Sequence, residues 1–334
     1  MEPQGRVTIS DVARTAGVSV ATVSKVVNGR YGVAVSTSVR VQEVIDRLGY
    51  ESSLVARSLR SHRTNVIGIL VAEFEPFSTE LLKGTSAAVG GTGYELLAYS
   101  GGGRHGSNVG WERRYLSRLS GTLIDGAILV TPTVVDAHPG IPVVAVDPHT
   151  GPTGLPTVDS DNMRGAVLAT EHLLALGHRR IGFLGGRSDL ESARLREEGY
   201  RKALANAGIA VDPSLMRVGG YRPETADQPA HELLTMRERP TAIFAANDLS
   251  AIRTMDVAYS LGLSVPQDVS IIGFDNVPES ALTRPPLTTI NQPIRQMGSE
   301  AIMLLIGLMN GTTQGSTHIT LPTELVERRS CRPI

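Results

Sequence analysis

Short apolar runs recur through most of this chain, each followed by a helical or loop segment. The first four are VIGILVA at 66–72, YELLAYS at 94–100, GAILV at 126–130 and VVAVD at 143–147. The next four are IGFLGG at 181–186, MRVGGY at 216–221, AIFAAND at 242–248 and SIIGFD at 270–275. Runs this short and this continuously apolar predict strands buried on both faces, which calls for parallel sheets with helices packed on either side. Two such blocks predict two doubly wound α/β subdomains. Ligands in such sheets sit outside the carboxyl ends of the strands, so the space between the two blocks is the expected binding cleft.

A different pattern precedes the strands. Thr8 to Asn28, TISDVARTAGVSVATVSKVVN, reads as two short helices joined by a tight turn. The Thr8 hydroxyl can satisfy an orphan backbone N–H, and Asp11 three residues on resembles a capping box. Ile9, Val12, Ala13 and Ala16 form an apolar face at helical spacing. Gly17 breaks the helix where a left-handed residue costs least. Ser19 caps the second helix, Val23, Val26 and Val27 bury it, and Val20, Ala21, Ser24 and Lys25 form its opposite face. That is a helix-turn-helix whose second helix fits a DNA major groove. A third helix follows, with Ser36 or Ser38 as its cap, Val41, Val44, Ile45 and Leu48 as its apolar stripe, and Gly49 as its end.

The motifs T-I-x-D-V-A at 8–13, A-G-V-S at 16–19 and T-V-S-K-V-V-N at 22–28 closely resemble the N-terminus of the LacI/GalR family of bacterial transcription regulators. The resemblance continues in EHLLALGHRRIGFLGG at 171–186, ANDLSAI at 246–252, DVSIIGFDNVPES at 268–280 and PPLTTINQP at 285–293. It implies a headpiece over 1–50, a hinge helix or linker over 51–63, and an effector-binding and dimerisation body over 64–334. The body is expected to resemble a periplasmic binding protein. Its N-subdomain would cover about 64–160 and 291–318, and its C-subdomain about 161–290 and 319–330, with crossings near Ser160, Ile290 and Ile319. Where Lys25 stands the family usually has Arg, whose bidentate fork Lys lacks.

Carried over position by position, the resemblance places Ser24, Lys25, Val20, Ala21 and Asn28 at the operator, with Thr8, Ser19 and Thr22 on phosphates. In the hinge segment LVARSLR, Leu59 matches the family residue that wedges a central minor-groove step, with Ala56 and Arg57 beside it. The effector contacts it implies are Asp147, Arg196, Asn247 and Asp275, with Phe77 and Tyr221 as apolar walls and Asp161 near the first crossing. On the residues alone, Asp and Asn at strand ends serve equally well as helix caps. Carboxylates that accept hydroxyls and a guanidinium that donates a fork together suit a polyol. A small sugar or oligosaccharide is therefore the expected effector, with a purine or nucleoside as the alternative.

Charge distribution fits this reading. Residues 1–62 hold eight basic and five acidic side chains, a net +3 against −4 for the remainder, within a chain of net charge −1. A modestly basic small domain on a near-neutral body suits a DNA reader rather than a general nucleic-acid coat. The single cysteine, Cys331, excludes an intramolecular disulfide and a cysteine zinc cluster and points to a reducing compartment. No signal-peptide core or membrane span is evident, so a cytoplasmic protein, acting at the nucleoid, is expected. The C-terminal stretch has no leucine heptad, which makes a homodimer the simplest assembly. Gly101, Gly103 and Gly106 satisfy G-x-G-x-x-G. They follow the second strand rather than the first, and no acidic residue ends the next strand, so a dinucleotide site is disfavoured. No paired acid and base with a reactive centre, metal helix or phosphate loop is present. The expectation is a repressor of carbohydrate-utilisation genes, with no catalytic residues and no cofactor.

Overall fold

The computed structural model describes residues 7–27, 29–50, 63–101, 110–133, 140–151, 154–313 and 317–334. The chain forms two compact units, Met1–Thr64 and Asn65–Ile334.

The small unit contains α1 (Ile9–Ala16), α2 (Val20–Val27) and α3 (Val35–Leu48). A capping box starts α1, with Asp11 N donating to Thr8 Oγ1 and Thr8 N donating to Asp11 Oδ2 at 2.9 Å. Gly17 ends it at φ 65°, in the left-handed region where a Cβ is strained. Thr22 N donates to Ser19 Oγ at 3.1 Å and so caps α2. The start of α3 departs from the sequence reading. Ser38 N already bonds to Ala34 O at 2.9 Å, so the ladder begins at Ala34 and both candidate serines fall inside the first turn. Val12, Ala13, Ala16, Val23, Val41 and Val44 close a core contributed by all three helices. These six side chains are small, which leaves such a domain marginally stable by itself.

The large unit carries two six-stranded sheets. The first is made of β1 (Val66–Val71), β2 (Glu95–Ser100), β3 (Gly126–Val130), β4 (Val143–Val146), β5 (Thr157–Ser160) and β11 (His318–Leu321). Its strand order is β11-β5-β4-β3-β1-β2, and all its pairs are parallel. The second is made of β6 (Ile181–Gly185), β7 (Met216–Val218), β8 (Ala242–Ala245), β9 (Ser270–Asp275), β10 (Thr288–Asn291) and β12 (Glu324–Val326). Its order is β12-β10-β9-β8-β6-β7, parallel except for the β10–β12 pair. The helices are α4 (Pro76–Val89), α5 (Trp111–Leu119), α6 (Asn162–Ala175), α7 (Glu191–Asn206), α8 (Pro223–Leu234), α9 (Asp248–Ser260), α10 (Pro278–Leu282) and α11 (Ile294–Asn310). Strands β1, β3, β6, β8 and β9 are buried along their whole length, the burial that their unbroken apolar runs require. Each sheet reverses its strand order once, beside β1 and beside β6, and that is where a doubly wound sheet opens a crevice.

Three passages join the two halves: β5 to α6, β10 to α11, and β11 to β12. The third follows Leu321 rather than lying near Ile319, because β11 pairs with β5 from His318 through Leu321 before the chain leaves the first sheet. Polar side chains tie the passages together. Ser160 Oγ donates to Gln292 Oε1 at 2.8 Å, and Thr323 Oγ1 donates to Asp161 O at 3.1 Å. In the first half α4 and α11 pack so closely that a Cβ built on Gly84 would overlap the Arg295 carbonyl, and one on Gly298 the Leu81 carbonyl. No described helix is long and apolar enough to cross a membrane.

The C-terminal segment is clamped by a buried histidine. His178 meets Thr241 Oγ1 at 2.9 Å through Nδ1, and Ser270 Oγ and Arg332 O at 3.1 Å through Nε2. Burial holds its pKa below the ordinary 6.5. Below pH 6.5 the unfolded chain therefore takes up this proton first, and stability present above that pH is lost as pH falls. Two raised carboxylates of the cleft, Asp275 and Asp159, act in the opposite direction. The test is the difference between wild type and His178→Asn. The variant is expected to be less stable at pH 8, with the gap narrowing in acid melts below pH 6.5. A gap independent of pH would contradict the assignment.

Candidate functional site

The outward face of α2 is the first candidate surface. Val23 is fully buried, Val26 and Val27 are half-buried, and Val20, Ala21 and Lys25 are exposed. Ser24 is half-buried beside them. Thr22 Oγ1 lies 2.9 Å from Ser19 Oγ, so both hydroxyls sit at the amino end of the helix, where N–H groups and the dipole favour a phosphate. Lys25 Nζ comes within 3.6 Å of where a Gly32 Cβ would stand, beside a hollow lined by Ser19, Thr22 and Thr37. Asn28, Ala56, Arg57 and Leu59 lie outside the described residues, as do Gly103 and Gly106 of the glycine motif.

The second candidate surface lies at the strand ends of the large unit. Asp147 follows β4, Gly186 follows β6, Asn247 follows β8 and Asp275 ends β9. The backbone is strained there: Thr131, Asp147, Tyr221, Asp275 and Asn276 all have left-handed φ values, from 47° to 111°. Arg196, on α7 and only 3 % exposed, lies at the centre. Its Nε donates to Asn162 Oδ1 at 2.8 Å, and its Nη1 donates to Ala246 O at 2.5 Å and Asp275 Oδ1 at 3.2 Å. Its guanidinium carbon lies 3.8 Å from the centre of the Phe274 ring and 5.4 Å from that of Tyr221. Gln292 Nε2 donates to the same Asp275 oxygen, Oδ1, at 2.6 Å, which links the site to the second interdomain passage.

Electrostatically the cleft is crowded with acids. Burial pushes Asp275 up to about 7, against the pull of Arg196 and with added repulsion from Glu75 and Asp147. Burial also raises Asp147, opposed by Arg196 and Ser192, and lifts Asp159 to about 6 with help from Asp147. The Tyr221 hydroxyl is buried without a hydrogen-bond partner, and burial pushes it up to about 12, so it stays a neutral donor. Its ring lies on Gly186, where a Cβ would collide with it. At the rim, Arg222 Nη2 reaches Glu73 Oε2 at 2.9 Å and ties the two halves together.

Of the residues expected here, Asp147, Arg196, Tyr221 and Asp275 are brought together. Asn247 takes another role: its Oδ1 caps α9 by accepting from Ser250 N at 3.0 Å, and its Nδ2 donates to Tyr221 O at 3.0 Å. Each end of the amide makes one bond within the protein, so it holds the strained Tyr221 backbone. Asp161 likewise caps α6, accepting from Arg164 N at 2.9 Å. Phe77 is partly buried against the core of the first half. Glu75, Asn162, Ser192 and Gln292 complete the site and were missed. Glu75 carries a signal in retrospect, since an acid before Pro76 is an N-cap, and its carboxylate accepts from Phe77 N at 2.7 Å and Ser78 N at 2.8 Å.

Residues 8–53 match the family described as bacterial regulatory proteins, lacI family, and residues 170–331 match the periplasmic binding protein-like domain. An HTH-type transcriptional repressor PurR of Photobacterium profundum is 35 % identical, over 98 % of this chain and 99 % of its own. The PurR repressor of Haemophilus influenzae is 33 % identical over similar spans, 98 % and 99 %. Among solved structures, a lac repressor dimer bound to operator and the anti-inducer ONPF superposes with a TM-score of 0.84 at 28 % identity, covering 98 % of this chain and 99 % of that one. A complex of the transcriptional regulator CelR with cellobiose gives 0.71 at 31 %, covering 97 % and 100 %. The chain belongs to the LacI family of DNA-binding transcriptional repressors.

Proposed function

We propose that this repressor reads a pseudo-palindromic operator as a homodimer and is switched by a small neutral molecule held among Asp147, Arg196, Tyr221 and Asp275. The observation that carries the first half is the division of α2, with Val23 buried and Val20, Ala21 and Lys25 presented outward. Val20 and Ala21 suit contact with a thymine methyl. Lys25, folded over Gly32, suits a phosphate rather than a base edge. The hinge residues Ala56, Arg57 and Leu59 are proposed for the minor groove from the sequence resemblance.

The likeness to PurR repressors supports a purine base or nucleoside as effector, ahead of the sugar that the residues first suggested. A flat base would lie against Tyr221, with Asp275 and the Tyr221 hydroxyl meeting its edge. A sugar is the second reading, favoured by paired carboxylate acceptors and by the likeness to a regulator bound to cellobiose. Coupling of about 1–3 kcal/mol between ligand and DNA would make a useful switch, and the coupling must be reciprocal.

Titration of promoter DNA tests the DNA-binding assignment. Lys25→Ala is expected to weaken specific and nonspecific binding alike, and to lower the slope of log affinity against log salt by about 1. A variant that loses discrimination between operator variants at an unchanged salt slope would instead place Lys25 on a base. Unaltered binding would remove it from the interface.

A further inference from the structure

We infer that the effector carries no phosphate or carboxylate: the cleft is built to accept a neutral or cationic ligand and to reject the phosphorylated counterpart of the same compound. This inference rests on the effector site proposed above and deepens it.

The inference comes from where the protein has already placed its own negative charge. In doubly wound sheets the ready seats for a ligand phosphate are the helix amino ends beyond the strands, where free N–H groups point into the crevice. Among the described residues, three of those seats are filled by side chains from within the chain. Glu75 occupies the amino end of α4 through Phe77 N, Ser78 N and the Ser78 hydroxyl. Asp161 occupies that of α6 through Arg164 N. Asn247 caps α9, and Asp248 in its first turn accepts from Val277 N at 2.9 Å and Thr289 Oγ1 at 2.5 Å. The amino ends of α5, α7 and α8 have no side-chain cap and carry an acid in the first turn instead, Glu112, Glu191 and Glu224.

Among the described residues, the cations around the cleft are engaged as well. Arg196 directs Nε and Nη1 into the protein, to Asn162, Ala246 and Asp275, and its face rests on Phe274. Arg222 is paired with Glu73 at the rim, and Arg187 with Asp189. The chain's three lysines are Lys25, Lys83 and Lys202. Lys83 is paired with Glu80 on α4, and Lys202 lies on the exposed side of α7. Among the described residues, Asp147 and Asp275 therefore share one guanidinium, that of Arg196, with Glu75 close by. Burial already disfavours the ionisation of Asp275, Asp147 and Glu75, and repulsion from Glu75 and Asp147 adds to it at Asp275. A further anion placed there would meet mainly acceptors. A hydroxyl, amide or ring N–H supplies the missing donors, and the unpartnered Tyr221 hydroxyl supplies one donor in return.

The test uses matched pairs on the full-length protein by calorimetry: guanosine and guanosine 5′-monophosphate, adenosine and adenosine 5′-monophosphate, glucose and glucose 6-phosphate, together with hypoxanthine and cellobiose. The expected result is that a neutral compound binds and its phosphorylated partner binds at least tenfold more weakly. Asp147→Asn, which asparagine tolerates at φ 48°, is expected to narrow that ratio at least threefold. A phosphorylated member that binds as tightly as its partner, or more tightly, would overturn the inference and leave the effector site standing. An unchanged ratio in Asp147→Asn would overturn the charge argument. If no compound binds a protein that still binds its promoter, the effector reading itself fails, and this inference with it.

Discussion

Arg196→Ala is expected to abolish the effect of ligand on DNA binding and to destabilise the large unit by about 3–5 kcal/mol, the usual cost of removing one partner of a buried charge pair. The loss has separate physical parts. Asp275 would keep Gln292 as its donor and lose its counter-charge, and Ala246 O and Asn162 Oδ1 would each lose a donor in a buried site. Phe274 would lose the guanidinium face packed at 3.8 Å. Arg196→Lys is not a rescue, because an ammonium can neither stack on Phe274 nor fork between Ala246 and Asp275. Pairing Arg196→Met with Asp275→Asn is expected to recover much of the stability and none of the ligand response. Thermal melts with and without ligand separate the two. A single Arg196→Ala variant that melts like wild type would contradict the burial and bonding described.

The second large effect concerns the joint between α4 and α11. Gly84→Ala is expected to cost about 3 kcal/mol, since overpacking against a carbonyl cannot be relieved by a rotamer change. For a unit of this size that corresponds to a fall of roughly 6–12 °C in melting temperature. Ser86→Ala, on the exposed side of the same helix, is the control and is expected to change little. The joint bears on function because α4 begins at Glu75 in the cleft and α11 begins just after the second passage between the halves. Gly84→Ala is therefore expected to shift ligand affinity as well as stability. A melt matching that of the control would refute the close approach.

Most of the framework was legible because its signals are local. The apolar runs at 66–72, 126–130 and 270–275 could be buried only as parallel strands, and Thr8, Asp11, Gly17 and Ser19 punctuate their helices as cap chemistry dictates. The strands β5, β10, β11 and β12 are short and mixed in polarity, so their membership of a sheet depends on partners far along the chain. The same limit governs the site. Asp147, Arg196 and Asp275 were identifiable from position and type. Asn247 and Asp161 have the same residue types at the same kind of position, and only the direction of their bonds shows them to be caps. Gln292 gave no local sign, because its importance lies in joining Ser160 to Asp275 across two passages of the chain.

These bonds also connect the site to the movement that a switch requires. A ligand that draws on Asp275 draws on Gln292, and through Ser160 on the first and second passages together. The Glu73–Arg222 pair meets any closing motion at the rim. Differential contact of this kind is what lets a ligand shift the balance between two arrangements of the halves.

The most direct test is a titration of the full-length protein on its own promoter DNA, with each neutral compound of the panel present or absent. The account predicts a specific complex that weakens steeply with salt, and an affinity changed at least fivefold by one purine, nucleoside or sugar, with the change abolished in Arg196→Ala. Tight binding that no compound alters would leave a DNA-binding repressor without the proposed switch. Binding no tighter to the promoter than to unrelated DNA, at both low and moderate salt, would contradict the account at its centre.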